Sequence, residues 1–219
     1  MTRFPKTTQL PARREELVNA LTHGLGALAS LVGGAVVIAL SVRVGDRFQL
    51  AGMVVYTISL VLLYTASTLY HAARDGVGKS RLRMVDHCAI YCLIAGTYTP
   101  FLLGALRGAW GWTLLTAIWG LALAGIIYKL FLLGRFPLLS TASYLALGWV
   151  ALAALPLMLG TLSVGALTWL LAGGLAYSFG TLFFHSRRIP YAHGIWHGFV
   201  LLGSGCHFVA VLLQVLPVV

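Results

Sequence analysis

Leu17-Val-Asn-Ala-Leu-Thr-His-Gly-Leu-Gly-Ala-Leu-Ala-Ser-Leu-Val-Gly-Gly-Ala-Val-Val-Ile-Ala-Leu-Ser-Val42 carries no charged residue over its whole length. A helix needs about 20 predominantly apolar residues to cross ~30 Å of hydrocarbon, so this run is long enough to span a bilayer. Comparable runs follow at about Leu50–His71, Val85–Leu106, Trp112–Leu133, Leu138–Leu159, Val164–Phe184 and Tyr191–Leu216. None alternates with period two, which argues against a transmembrane barrel. The chain is 59% hydrophobic and only 9% charged, too little charge to cover a soluble domain of 219 residues. The expected fold is all-α, a seven-transmembrane helix bundle over residues 17–219, preceded by a short basic segment at 1–16. The first run is longer than a signal-peptide core and reads as a retained helix. Pro156, near the end of the fifth run, is expected to kink or terminate it.

The net charge of +10 sits in the links between runs. It reads as a topology signal and as contact with anionic lipid, not as a nucleic-acid surface. Twelve of the fifteen Lys and Arg residues fall on the side of the N-terminus, among them Arg3, Lys6, Arg13, Arg14, Arg74, Arg83 and Arg187. Only Arg43, Arg47 and Arg107 fall on the other. That bias predicts a cytoplasmic N-terminus and a C-terminus outside. Cys88, Cys92 and Cys206 lie inside apolar runs without a CxxC spacing, so neither a disulfide framework nor a cysteine zinc cluster is expected.

Polar residues in such runs are costly, and they gather at one depth. His193 and His197 open the seventh run, one helical turn apart and on one face, the spacing by which a helix offers a metal two nitrogens. His71 ends the second run, Asp86 opens the third, and Glu16, Asn19, Thr22 and His23 open the first. All of these belong to the predicted cytoplasmic side. Three imidazoles from His71, His193 and His197 would make a three-nitrogen zinc site with a fourth position open. Imidazole sites also accept copper, iron or nickel. Asp86 fits a ligand or a general base, but equally a pair with Arg83 or a favourable charge at a helix start. Ser67, one turn before His71, fits a role in orienting Asp86, or a bond to its own helix carbonyl. Glu16 reads either as a helix-start carboxylate or as part of a polar network supporting the site. His87 and His185 are expected at a solvated interface. His207 lies roughly 15 Å deeper than His197 and reads as a core or pore residue.

Glu16-x-x-Asn19-x-x-Thr22-His23, Ser67-x-x-x-His71, Asp86, Ala95-Gly-Thr-Tyr-Thr-Pro100 and His193-x-x-x-His197 together resemble the hemolysin III branch of the progestin and adiponectin receptor (PAQR) family. The resemblance spans the membrane core from Glu16 to His207. It implies seven helices in a bacterial inner (cell) membrane, with zinc near the cytoplasmic face held by His71, His193 and His197. It also implies that Asp86 contacts the water on that zinc, with Ser67 beside it. The wider superfamily includes alkaline ceramidases, which implies hydrolysis of a lipid amide or ester, with membrane lipids as partners. Two other readings stand beside it: a non-catalytic regulator of lipid homeostasis or membrane energetics with a structural zinc, and a cytolysin or channel.

Overall fold

A computed structural model describes residues 13–186 and 188–216. Residues 1–12, with Arg3 and Lys6 of the basic segment, and Arg187 lie outside the described residues. The described residues form eight α-helices and one 3-10 segment, with no strand among them. They are α1 (Arg13–Val44), α2 (Arg47–Ala72), α3 (Val77–Leu103), α4 (Ala109–Leu132), α5 (Pro137–Gly148), α6 (Leu155–Thr161), α7 (Val164–Phe184) and α8 (Ala192–Leu212).

The 3-10 segment Trp149–Ala154 joins α5 to α6 in one continuous run. The expected kink therefore falls before Pro156 rather than at it. Proline has no N–H to give the Leu152 carbonyl. The Leu155 N–H bonds that carbonyl instead, which tightens the turn to the three-residue spacing.

Six segments are long and apolar enough to cross a membrane: α1, α2, α4, the α5–α6 run, α7 and α8. The chain is thus a multi-pass membrane protein. α3 is outside this set; it starts eight residues earlier than hydropathy predicts, and Lys79, Arg81, Arg83 and Asp86 occupy its first turns. Asp86 therefore sits in the third turn of α3 instead of opening it.

The buried face of α1 reads Asn19, Ala20, His23, Gly26, Ser30, Gly34, Val37, Ser41. Nearly every step is three or four residues, so these side chains form one stripe. Its large apolar residues, such as Leu25 and Val32, point away from the bundle. This inverts a soluble helix. In lipid, apolar faces gain nothing by hiding, and small residues at the interface let backbones approach. One helix backbone meets another at Gly52, where a Cβ would lie 2.7 Å from Pro100 Cα.

At the end of the bundle opposite the start of α1, Asp46 caps α2 by accepting the Phe48 N–H at 2.9 Å. Arg107 donates to both of its carboxylate oxygens, at 2.8 and 2.7 Å. The Arg107 guanidinium holds the Asp46 carboxyl below the usual carboxylate range. A lowered folded-state value means that this link is complete at neutral pH and is lost only as pH falls into acid.

Candidate metal centre

The start of α1, the end of α2 and the start of α8 meet at one end of the bundle. One donor nitrogen each from His71, His193 and His197 lies within 4.8 Å of the other two. The ring centroids are 5.0 Å apart for His71–His193, 5.0 Å for His71–His197 and 4.6 Å for His193–His197. The cluster is thus compact, and the His193–His197 spacing does put both rings on one face. His71 and His197 are buried, and His193 is half-buried.

The outer nitrogens of two rings are spoken for. His71 Nδ1–H donates to Glu16 Oε2 at 2.8 Å. A carboxylate only accepts, so the neutral ring keeps its lone pair on Nε2. His197 Nδ1–H donates to the Asn19 carbonyl at 3.3 Å, with the Thr22 hydroxyl equally close. Its lone pair is likewise left on Nε2. Metal-bound histidines are oriented in this way, by a carboxylate or carbonyl behind the ring. His71 Nε2 is buried without a hydrogen-bond partner among the described residues. A buried orphan acceptor beside two other imidazoles suits a cation, and an all-nitrogen donor set suits zinc. The residues fit the metal.

Glu16 therefore does more than favour a helix start. It ties α1 to α2 through His71 and to α3 through Lys79 Nζ at 3.3 Å. Glu16→Gln is expected to lower zinc affinity by roughly 10–100-fold, measured by competition with a chelator. Unchanged affinity would detach Glu16 from the site.

His23 was not among the expected ligands, and it lies against them. Its ring stacks on His197 with centroids 3.5 Å apart and planes 12° from parallel. Tyr64 covers it edge-on at 5.0 Å. Both ring nitrogens of His23 are buried without a partner among the described residues. Its spacing from Asn19 in the sequence marks the shared face, but only the approach of α1 to α8 brings it onto His197.

Asp86 and Ser67 line the same cavity as His193 and His197. The Ser67 side chain stands beside the Asp86 carboxyl. Asp86 forms no ion pair with Arg83 among the described residues, and the cap position of α3 belongs to Gly76. Asp86 is thus not the cap of α3.

The cavity encloses about 720 Å³, well within the roughly 300–1,000 Å³ of ligand pockets. From Asp86 it follows α3 to Leu102, sixteen residues or about 24 Å at the helical rise. Beyond the histidine end its wall is mostly apolar, with Leu102, Ile118 and Met158 among the lining residues.

The remaining histidines lie outside the three-histidine cluster. His87 lines the cavity instead of facing water. His185 Nε2 hydrogen-bonds the Thr141 hydroxyl at 2.8 Å. His207 Nε2–H donates to the Leu170 carbonyl at 3.1 Å, and the residue lines the deep part of the same cavity. All three cysteines are free thiols. Lys129, inside the run read at Trp112–Leu133, is buried in the last turn of α4 with Nζ 5.0 Å from the Tyr144 ring centre.

Known proteins share this sequence along most of its length. The family described as haemolysin-III related matches residues 12–208. The "Hemolysin-3 homolog" of Bacillus subtilis is 43% identical over 94% of this chain and 96% of its own length. The "Hemolysin-3" of Bacillus cereus is 44% identical over 93% of both chains. The human "Monocyte to macrophage differentiation factor" is 32% identical over 92% of this chain and 84% of its own.

Proposed function

The chain belongs to the haemolysin-III-related family, and from that membership and the histidine-lined cavity we propose that it is a zinc-dependent hydrolase of lipid amides or esters. The observation that carries this reading is the junction of two features in one space. A long apolar cavity, suited to an acyl chain, reaches His193, His197, Asp86 and Ser67 at one end. α3 completes a seven-helix bundle in this reading. In this reading the N-terminus and the site face the cytoplasm across a bacterial inner membrane, an orientation that the twelve-to-three bias of basic residues supports.

His71, His193 and His197 are the residues that would hold zinc. Zinc in such a three-histidine site acidifies a water towards neutral pH and polarises the carbonyl of an amide or ester. Asp86 accepts the proton of the attacking water on its carboxylate and returns it to the leaving nitrogen or oxygen. Ser67 orients that carboxylate. Glu16 and the Asn19 carbonyl fix the His71 and His197 rings so that Nε2 faces the centre in each. The apolar wall seats the acyl chain and keeps bulk water from the reacting end.

Purified protein incubated with ceramide and with acyl phospholipids is expected to release fatty acid, read by mass spectrometry. Asp86→Asn is expected to lower turnover by roughly 10²–10⁴-fold at unchanged zinc content. Turnover that survives His193→Ala would sink the mechanism.

One observation favours a second reading. The cluster joins α2 to α8, and Glu16 adds α1, so zinc would also stitch three helices together. A non-catalytic regulator of lipid homeostasis or membrane energetics would use zinc in that way alone. It predicts a melting temperature that falls on chelation, with no hydrolysis to lose.

A further inference from the structure

Arg83 is the one lysine or arginine that lines the cavity among the described residues. It precedes Asp86 by three residues on α3, hence on the same helix face and about 4.5 Å nearer the helix start. The described carboxylates do not claim it. Glu16 and Asp75 engage Lys79, and Asp46 engages Arg107, while Arg83 forms no ion pair among the described residues. It lines the cavity together with Tyr70, Asp86, His87 and His193. A role in membrane topology does not account for this placement. Arg74 and Arg81 would serve that role as well, and neither lines the cavity.

A guanidinium presents paired N–H donors that match the two oxygens of a carboxylate or phosphate. At the edge of an apolar cavity its charge is less screened than on an open surface. We propose that Arg83 determines ligand specificity, binding the anionic headgroup, carboxylate or phosphate, of an amphiphile whose acyl chain fills the apolar cavity.

The choice of bond broken rests on the hydrolase reading; the binding of the anion does not. With Arg83 about one turn from Asp86, the anion lies a few bonds from the carbonyl. Water adds to the acyl carbon, and the bond from that carbon to the amide nitrogen or ester oxygen breaks. The leaving atom takes the proton. The products are a fatty acid and a small anionic amine or alcohol.

Equilibrium binding of radiolabelled N-palmitoylglycine and N-palmitoylethanolamine to the full-length, detergent-purified protein tests the assignment. The two share a tail and an amide and differ in the charge of the head. Palmitoyl lysophosphatidate and monopalmitoylglycerol form the matching phosphate pair. Wild type is expected to bind the anionic member of at least one pair roughly tenfold more tightly or better, the size expected of a charge-assisted hydrogen bond. Arg83→Gln is expected to erase that preference, Arg83→Lys to keep part of it, and Arg81→Gln to leave it intact. Equal binding within both pairs by wild type, or a preference that persists in Arg83→Gln, overturns the proposal. So does competition by tail-free N-acetylglycine as strong as by N-palmitoylglycine, which would show a site for free anions. Palmitate release is followed in the same samples. An Arg83-dependent preference without release keeps this assignment and removes the hydrolase reading. Release without a preference does the reverse.

Discussion

Alanine at position 197 is expected to empty the protein of zinc. His197 is fully buried, its Nδ1 is held by the Asn19 carbonyl, and one of its nitrogens lies within 4.8 Å of donor nitrogens of His71 and His193. Its removal leaves two imidazoles, on different helices, where three converge. The loss of affinity should exceed the roughly 10–100-fold expected when only a hydrogen bond behind a ligand is lost, as in Glu16→Gln. Metal analysis of purified His197→Ala and His71→Ala protein makes the comparison with wild type. A thermal titration adds a second readout. Zinc at about 100 times its dissociation constant stabilises the folded state by about 2.7 kcal/mol, so it should raise the melting temperature of metal-stripped wild type and leave His197→Ala unmoved. Full zinc content in both variants would remove the site altogether.

Valine at position 52 is expected to force α2 and α3 apart. A Cβ on Gly52 would stand 2.7 Å from Pro100 Cα, 3.2 Å from Pro100 N and 3.3 Å from the Thr99 carbonyl oxygen. All three are backbone atoms, which cannot rotate away as the tip of a side chain can. A second close approach on the same interface leaves no slack, since a Cβ on Gly96 would lie 2.2 Å from Ser59 Oγ. Overpacking a tight interface costs about 1–3 kcal/mol and more where backbone must move. The effect should reach the site as well, because α2 carries Ser67 and His71 while α3 carries Asp86. The melting temperature in detergent should fall sharply for Gly52→Val and stay near wild type for Gly78→Ala, where nothing lies within 4 Å of the added carbon. Equal melting temperatures for the two would contradict the packing described here.

The membrane segments were legible because the bilayer imposes a length and a polarity on each of them separately. The sequence reading placed one segment at Val164–Phe184, and α7 has those bounds. Where hydropathy misled, water was the reason. The first turns of α3 carry Lys79, Arg81 and Arg83, which resemble a loop when only apolarity is scored. A helix with charged turns can continue past the hydrocarbon, and so Asp86 moved from an expected helix start to a third turn. Lys129 shows what burial adds. Its place inside the run read at Trp112–Leu133 holds, and the structure adds that its stem is buried in α4 and its ammonium rests near the Tyr144 ring.

The histidine cluster divides in the same way. The spacing of His193 and His197 follows from helical geometry, and the common depth of His71 follows from the hydropathy boundaries, so both could be read from one chain of letters. That Glu16 backs His71, that His23 stacks on His197, that Arg83 meets the cavity and that the cavity exists at all required the bundle to be assembled. Hydropathy records how each segment meets lipid, a local property. Which helices become neighbours depends on close packing of small residues such as Gly26, Gly34 and Gly52 against particular partners, because lipid supplies no hydrophobic force to drive helices together. That complementarity exists only between helices, and it is what turns scattered polar residues into a site.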